Sequence, residues 1–473
     1  MKRRQVIAAL LFSVTLAVCA FGAEKAHPLP KALPPYGPVV PFRAPQVEIK
    51  KLANGLTLWL VPRPGFPKVA LTLAVKGGMS VDPGGRPGLS QLLLATLDQG
   101  TKTRSARQIA EEIQAAGGDL SGDALADSIR VSTDVLASKA DAALGLLADI
   151  FANATFPDSE VDLAKRNAAD NLRAQEAEPG FLARRALAKV IFGTHPYSVI
   201  SPTQDSITRT TPAELRREYA RRFRPDQTLL VAVGDFDAAA LTASIEKQFG
   251  GWKAPAEAPV ADVGAPVEKN PHAVFFVERA GSVQTTLALG AFGPSQRDPE
   301  YEPAEVANAI YGGMFGSRLV VNIREDKGYT YSPGSFLQVR RDAGIFQTRA
   351  DVRNAVTGAS LNEIEYELNR LATTSPSEEE MQRAERYLVG IKAIILQLQR
   401  SVGSQLATLW VSGLPPEELG RESEKIQKVT PQQVDDVARK YFPFSRQTVV
   451  AVGEEKVIKD QLAPFGMELK PAP

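Results

Sequence analysis

Two side chains in the second half of the sequence have chemistry that suits a peptide bond. Arg324 and Tyr331 lie seven positions apart in the segment Asn322–Ser332. A guanidinium and a phenol can each donate a hydrogen bond to a peptide carbonyl, and such donors gain value as negative charge develops on that oxygen. Neither group needs a metal of its own. The alternative interpretation is purely structural, with Arg324 paired to Glu325 or Asp326 and Tyr331 half-buried in a strand.

The first 22 residues have the pattern of a secretory signal peptide. Three basic residues at positions 2–4 precede an apolar stretch at 6–19, and small residues follow at Ala20 and Gly22. The apolar stretch is short for a membrane span, and no later run approaches the roughly 20 apolar residues that a spanning helix needs. We therefore expect an exported chain without a membrane span, in the periplasm rather than the medium because the mature chain has no cysteine pairs.

Other catalytic groups are scarce in the predicted mature chain. The only cysteine, Cys19, lies in the signal peptide, and the three histidines, His27, His195 and His272, are widely separated. A cysteine nucleophile and a thiolate metal site are therefore excluded, and no Ser-His-Asp arrangement is evident. The Gly-Gly pair at 312–313 lacks the Lys-Ser/Thr that follows in a phosphate-binding P-loop.

Charge and composition also exclude some classes of partner. Cleavage after Gly22 leaves 52 basic against 54 acidic residues, a net charge of about −2. This balance gives no reason to expect nucleic acid or an anionic membrane surface as a partner. Hydrophobic residues make up 44% of the sequence, which is ample for two or three packed domains.

Two proline-rich stretches and an internal repeat divide the chain. Residues 23–46 predict an extended arm, and residues 254–271 predict a linker between domains. On either side of that linker, Thr211-Pro212 and Thr430-Pro431 each open a helical pattern that leads to a Gln-Thr strand, with an offset of about 220 residues. We therefore predict two homologous domains, at 47–253 and 272–473.

Local patterns predict an α+β fold. Polarity alternates on both sides of Asn54-Gly55, which is typical of a β-hairpin with a type I′ turn. A third strand is predicted at 69–75, and Ser105 with Gln108 could form a capping box. Because strands adjoin strands and helices adjoin helices, each domain should be an antiparallel sheet with helices on one face. The predicted helices span 89–97, 105–116, 139–151 and 159–177.

Longer motifs resemble a known family. The segment Gly88–Thr101 resembles the signature helix of the insulinase/pitrilysin metallopeptidases, which have a mitochondrial-processing-peptidase-like fold. The runs Ile310–Leu319 and Asn322–Ser332 resemble the signature of that family's second domain. The resemblance covers about residues 47–465 and implies two homologous sheet-and-helix domains around a peptide-binding chamber.

The resemblance also implies that the zinc site has been lost. Active members carry an inverted motif, His-x-x-Glu-His, in which two imidazoles hold the metal and the carboxylate acts as general base. The three matching positions here are Gln91, Leu94 and Ala95, and the third-ligand position aligns with Asn171 or Leu172. None of these is a zinc ligand of the expected kind. We therefore predict no bound metal and no catalytic residue in this chain alone.

By the same resemblance, Arg324 and Tyr331 match an Arg and a Tyr that reach the substrate beside the zinc in active members. Some members divide the zinc motif and the Arg/Tyr pair between two polypeptides. The sequence therefore predicts a non-catalytic subunit of a heterodimeric periplasmic zinc peptidase, with zinc in a paralogous partner and a peptide as substrate. The alternative is a catalytically inactive peptide-binding or scaffold protein, and the choice between homo- and hetero-oligomer stays open.

Overall fold

The computed structural model describes residue 37 and residues 45–269 and 271–473. The predicted signal peptide and most of the predicted proline-rich arm lie outside the described residues. Within the described part, the strands form two sheets of six. The strands are β1 (Glu48–Lys51), β2 (Thr57–Pro62), β3 (Lys68–Lys76), β4 (Ser121–Ala124), β5 (Ser128–Leu136), β6 (Thr228–Gly234), β7 (Ala273–Glu278), β8 (Gln284–Gly293), β9 (Gly334–Val339), β10 (Gly344–Arg353), β11 (Thr448–Gly453) and β12 (Glu468–Pro471).

Along the sequence, the helices fall between these strands. Two of the helices continue into π-helical turns. Those turns span Ala309–Gly313 and Val321–Asp326. The α-helices are α1 (Leu89–Leu97), α2 (Ala106–Ala115), α3 (Ala140–Asn153), α4 (Asp158–Glu176), α5 (Pro179–Phe192), α6 (Gln204–Arg209), α7 (Pro212–Arg222), α8 (Ala238–Phe249), α9 (Tyr301–Asn308), α10 (Arg318–Val320), α11 (Thr357–Thr373), α12 (Glu378–Ile395), α13 (Gln399–Val411), α14 (Glu418–Gln427), α15 (Pro431–Tyr441) and α16 (Glu455–Leu462).

The short-range predictions are confirmed to within two residues at each end. Gly55 has φ of +96°, so it supplies the left-handed conformation of the turn between β1 and β2. Ser105 and Gln108 form the predicted capping box at the start of α2. Thr211 and Thr430 cap α7 and α15 in the same way, which matches the repeat. Local sequence therefore decides where these elements begin.

The two sheets match in topology except at one edge, where β1 is antiparallel to β2 but β12 is parallel to β7, and both sheets are mixed rather than purely antiparallel. The strand orders are β1-β2-β6-β3-β5-β4 and β12-β7-β11-β8-β10-β9. In each sheet the last long strand, β6 or β11, inserts between the first two long strands of its half. It runs parallel to one neighbour and antiparallel to the other. The predicted α+β class is confirmed, but these parallel pairs join segments about 170 residues apart, which neighbouring patterns do not reveal.

Helices cover both faces of each sheet, whereas the sequence predicted one covered face. Every residue of β6 and β11 is buried, so both faces of these strands require an apolar partner. The second partner comes from the other half of the chain: α5 packs on β8 and β11, and α13 packs on β3 and β6. Gly403 of α13 makes this approach possible, because an added Cβ would lie 2.8 Å from Oγ1 of Thr72. The two halves therefore exchange one helix each.

The segment predicted as a linker, residues 254–271, contains no helix or strand in its described residues. It is nevertheless fixed to both halves. Asp262 pairs with Arg341, and the carbonyl of Gly264 lies 3.2 Å from Nε2 of His195. Across the described residues, the helices are all too short or too polar to cross a membrane.

Candidate functional site

Helix α1, which carries the predicted zinc-motif positions, is fixed at its first turn by a buried ionic cluster. The Asp82 carboxylate accepts hydrogen bonds from the backbone N–H of Ser90 at 3.1 Å and from its hydroxyl at 2.5 Å. Arg222, whose side chain is fully buried, pairs with Asp82 and Glu218, each at 3.1 Å. Burial raises the pKa of Asp82, and Arg222 opposes that shift.

The predicted zinc-motif positions line a cavity of about 640 Å³ between α1, α4 and the edge strand β4. Gln91, Leu94 and Ala95 approach it from α1, and Asn171 and Leu172 approach it from α4. The structure therefore brings together all five positions that the sequence singled out.

These residues do not fit a metal ion. Zinc in proteins takes imidazole, thiolate or carboxylate ligands. Leu94, Ala95 and Leu172 have no donor atom, and the amides of Gln91 and Asn171 are poor zinc ligands. No group of three or more His, Cys, Asp or Glu side chains among the described residues has the arrangement of a metal site.

Leu94, which stands at one of the lost motif positions, is packed against the backbone of β4. A Cβ added to Gly122 would lie 2.7 Å from Cδ1 of Leu94 and 2.9 Å from the carbonyl oxygen of Arg130. Glycine at position 122 therefore makes room for the leucine. The two residues together give the cavity an apolar wall on the side of the sheet.

Arg324, which is half-buried, forms one stack with Tyr331 and a third residue, Phe315. The Arg324 guanidinium carbon lies 4.4 Å from the ring centre of Phe315 and 4.7 Å from that of Tyr331. Tyr331 is 79% exposed and Phe315 is 65% exposed. Glu325 approaches Nε of Arg324 at 3.2 Å. The structural interpretation of Arg324 predicted an ion pair with Glu325 or Asp326. The pair with Glu325 is present, but it occupies one side of the guanidinium only.

The backbone around this stack is irregular, and the irregularity positions its members. Arg324 lies in the π-helical turn Val321–Asp326, which ends where Gly328 adopts φ of +62°. Phe315 follows the other π-helical turn, Ala309–Gly313. Such turns are rare in proteins overall, but those that occur are often found at functional sites. Tyr331 is exposed in the segment before β9, so the half-buried strand position is wrong.

The stack and the 640 Å³ cavity are separate features. Among the described residues, neither Arg324 nor Tyr331 is part of the cavity lining. A smaller cavity of about 280 Å³ is lined by both halves, with Gln91 and Gln175 from the first and Gln338 and Gln347 from the second. The end of α1 that carries Gln91 therefore lies at the boundary between the halves.

Sequence reasoning missed three residues of these sites. Asn167 and Gln175 lie one turn before and one turn after Asn171 on α4, and both line the 640 Å³ cavity. Their spacing of four was a usable signal, because such residues share a helix face. Phe315 lies within the motif Ile310–Leu319, and nothing in its neighbours in the sequence indicates that its ring would stack on Arg324.

Comparisons with known proteins agree with this architecture. Residues 60–202 match the model for the insulinase family, peptidase family M16, and residues 209–388 match the model for the peptidase M16 inactive domain. An uncharacterized zinc protease from Rickettsia felis is 25% identical over 406 residues, which is 84% of this chain and 95% of that protein.

Solved structures extend the comparison. A peptidase M16 inactive domain from Pseudomonas fluorescens has a TM-score of 0.81 and 25% identity, over 90% of this chain and all of that one. A chain in the structure of complex III2 from Candida albicans has a TM-score of 0.75 and 19% identity, over 88% of this chain and 99% of that one, which shows the fold alone. The chain belongs to the insulinase family of M16 peptidases and is a member that lacks the zinc site.

Proposed function

We propose that this protein is the non-catalytic subunit of a heterodimeric zinc peptidase in the periplasm. A zinc-bearing paralogue supplies the metal and the general base, and this chain supplies Arg324 and Tyr331 to the bound peptide. The observation that carries the proposal is a contrast between two places. The metal-site positions lack ligands, whereas the two hydrogen-bond donors, a half-buried Arg324 and an exposed Tyr331, lie together in one stack.

The stack suits a role in holding and polarising a carbonyl. The contacts of the guanidinium with the rings of Phe315 and Tyr331 restrict its rotation, and cation–π contacts of this kind add about 0.5–1 kcal/mol at exposed sites. Glu325 takes the Nε side. Among the described residues, no hydrogen-bond acceptor contacts the terminal nitrogens of Arg324 or the Tyr331 hydroxyl. These groups therefore remain available to donate to the oxygen of a scissile peptide.

A second function is a catalytically inactive peptide-binding or scaffold protein. The match of residues 209–388 to the peptidase M16 inactive domain favours it, since an inactive domain requires no substrate chemistry. The two functions differ in what they ask of Arg324 and Tyr331. A scaffold does not require the hydrogen-bond donors of Arg324 and Tyr331 at its surface. A subunit that acts on the substrate requires both of them for activity.

The test is hydrolysis of a quenched fluorescent peptide, with zinc quantified, for this protein alone and co-expressed with a zinc-motif paralogue from the same genome. We expect cleavage and about one zinc per heterodimer only in the pair. Arg324→Gln or Tyr331→Phe should lower kcat by about 100-fold, the usual cost of one donor to a developing oxyanion.

Matched controls are Arg107→Gln and Tyr366→Phe, which change exposed residues of the same types. The controls should leave cleavage by the pair unchanged. Failure to associate, or cleavage that survives both Arg324→Gln and Tyr331→Phe, would overturn the proposal in favour of the scaffold.

A further inference from the structure

The smaller cavity, of about 280 Å³ at the boundary between the halves, collects polar side chains that have no partner in the protein. Four amides and two guanidinium groups line it. They belong to Gln91, Gln175, Arg184, Gln338, Arg340 and Gln347. Within the described part of the chain, none of the six side chains takes part in a hydrogen bond or an ion pair. Because polar groups in protein interiors are nearly always paired, this convergence indicates a partner from outside the chain.

Gln347 is the most telling of the amides, because it is the one that is buried. It lies on β10 and is only 5% exposed. A carboxamide offers two donors and an acceptor, and leaving such a group unpaired in the interior is unfavourable. An apolar side chain at this position would avoid that cost. A ligand that pairs with the amide accounts for its presence.

The guanidinium of Arg340 is held in place without being paired. Its central carbon lies 5.1 Å from the ring centres of both Phe192 and Tyr197, and its buried Nε has no acceptor. Burial lowers the pKa of Arg340, and the charge of Asp127 opposes that shift. Asp127 itself accepts hydrogen bonds from the Tyr197 hydroxyl at 2.8 Å and from the backbone N–H of Arg341 at 2.9 Å. The cation is therefore positioned by two rings and keeps its donors for another group.

Arg184 of α5 adds a second positive charge to the lining. Burial and the charge of Arg349 both lower the pKa of Arg184, while Arg349 is itself paired with Asp351 at 2.8 Å. As far as the described residues go, the lining contains neither Asp nor Glu. An uncompensated pair of guanidinium groups attracts an anion, and the planar fork of each one matches a carboxylate.

The rest of the lining is apolar, and the space is small. Leu187 and Phe192 of α5 and Ile345 of β10 are all buried and all line the cavity. An inorganic anion would leave these surfaces uncovered, whereas an apolar group attached to the anion would cover them favourably. The volume of about 280 Å³ lies just below the usual range of ligand sites, roughly 300–1,000 Å³. One small molecule therefore fits better than a longer chain.

We propose that this cavity binds a small organic acid, with its carboxylate held by Arg184 and Arg340 and its apolar body packed on α5 and β10. The amide of Gln347 donates to the same carboxylate. Because α5 belongs to the first half and β10 to the second, the bound acid links the two halves. The inference goes beyond the proposed function and requires neither a peptide nor a partner subunit.

The test is isothermal titration calorimetry of the isolated full chain with 3-phenylpropanoate. We expect one site per chain and a Kd below about 1 mM. The uncharged 3-phenylpropanamide and acetate, which lacks the apolar body, should each bind at least about tenfold more weakly. The temperature of unfolding should rise with the concentration of 3-phenylpropanoate, since the acid binds only the folded chain.

Two variants place the binding at this cavity. Arg184→Gln changes an exposed residue and should weaken binding by about tenfold, whereas Lys189→Gln, an exposed cation of the same helix outside the lining, should not. Gln347→Met should weaken binding by about tenfold. Without ligand, its unfolding temperature should stay the same or rise, because an apolar side chain replaces a buried unpaired amide. A purely structural Gln347 would instead lose stability in this variant.

The possible results separate clearly. Absence of binding, equal binding by the acid and either of its two analogues, or binding that both Arg184→Gln and Gln347→Met leave unchanged would overturn the inference. Tighter binding by a tripeptide with a free C-terminal phenylalanine would also overturn it, because the cavity would then take a chain end and not a small acid. None of these measurements involves the partner subunit, so this inference and the proposed function can fail separately.

Discussion

Matching helices in the two halves of this molecule present opposite chemistry. Helices α4 and α12 occupy equivalent places, since they begin about 220 residues apart, at Asp158 and Glu378. The exposed residues at matching positions are Asn167, Asn171 and Gln175 on α4 and Tyr387, Ile391 and Ile395 on α12. The two halves share the order of five of their six strands and the starts of these two helices, while the exposed faces of α4 and α12 differ at the three positions compared.

The buried sides of α4 and α12 also differ in polarity, but here α4 is apolar and α12 carries a charge. Leu172 of α4 is buried among apolar neighbours, whereas the matching residue of α12 is Lys392. Lys392 pairs with Glu422 at 2.5 Å and with Glu305 at 3.5 Å. On α4, exposed amide side chains therefore lie opposite a buried leucine. On α12, exposed apolar side chains lie opposite a lysine that is paired with two glutamates.

The side-chain contacts that hold the first turns of α1 and α9 also differ between the two halves. In the first half, Arg222 at the end of α7 pairs with Asp82 ahead of α1. In the second half the repeat places Tyr441 at the end of α15, and its hydroxyl donates to Glu300, immediately before α9, at 2.5 Å. The junction is held by a buried charge pair in one half, and in the other by a phenol–carboxylate hydrogen bond together with the exposed ion pair between Lys440 and Glu300. Equal geometry therefore does not imply equal energetic cost of mutation.

The largest expected effect is the loss of stability when the contacts at the starts of α1 and α9 are removed. Arg222→Ala leaves Asp82 buried without its cation, whereas Glu218 keeps Arg221 as a partner, and breaking such a buried pair costs about 3–5 kcal/mol. Tyr441→Phe removes one hydrogen bond and should cost about 1 kcal/mol. Urea unfolding of the two variants measures both losses in free energy. Equal losses would mean that the two junctions are equivalent.

In the second half, the buried carboxyl of Glu305 should make stability depend on pH. Burial raises the pKa of Glu305 to about 7, while Lys392 and the Tyr301 hydroxyl act in the opposite direction. The folded chain keeps this proton up to about pH 7, whereas the unfolded chain releases it near the ordinary value of 4.5. The carboxyl therefore lowers stability as the pH rises from about 4.5 to 7.

Glu305→Gln should remove that dependence and stabilise the protein above pH 7 by about 2 kcal/mol. Lys392 retains Glu422 as its partner in this variant. Thermal unfolding between pH 4.5 and 8 measures the difference from the unsubstituted protein, and Glu363→Gln, at a less buried ion pair, is the control. A difference that does not grow with pH would contradict the assignment.

Exchanging the exposed helix faces should change stability less. Tyr387→Asn, Ile391→Asn and Ile395→Gln together give α12 the outer face of α4. Because these side chains are only 38–39% exposed and bury the rest of their surface, we expect the free energy of unfolding to fall by about 1–2 kcal/mol in total. Equilibrium denaturation measures this change. A loss of several kcal/mol would show that the α12 face is part of a core and not a free surface.

The smallest effect concerns the third member of the stack. Phe315→Leu removes one ring from Arg324 and leaves the Tyr331 ring in place. We expect kcat of the partner-dependent reaction to fall by about two- to fivefold, as expected for an exposed cation–π contact. Steady-state kinetics of the pair measures this fall. A fall as large as that of Arg324→Gln would give Phe315 a direct role with the substrate.

Sequence predicted what depends on near neighbours. Asn54-Gly55 and the Ser105/Gln108 box define their own turns, and the motif around Arg324 and Tyr331 indicated that those two residues belong together. Arg222 and Asp82 are 140 residues apart, and no local pattern connects them. The exchanged helices α5 and α13 were missed for the same reason, since only the folded chain shows which sheet each one covers.

The helix exchange has a consequence for how the chain can come apart. Because α5 belongs to the first half but seals the second sheet, and α13 does the converse, neither half retains a sealed interior when the other is removed. A single proteolytic cut in residues 254–271 should therefore yield two fragments that remain bound to each other under native conditions. Expressed separately, each fragment should be insoluble, and mixing them during refolding should restore one soluble particle.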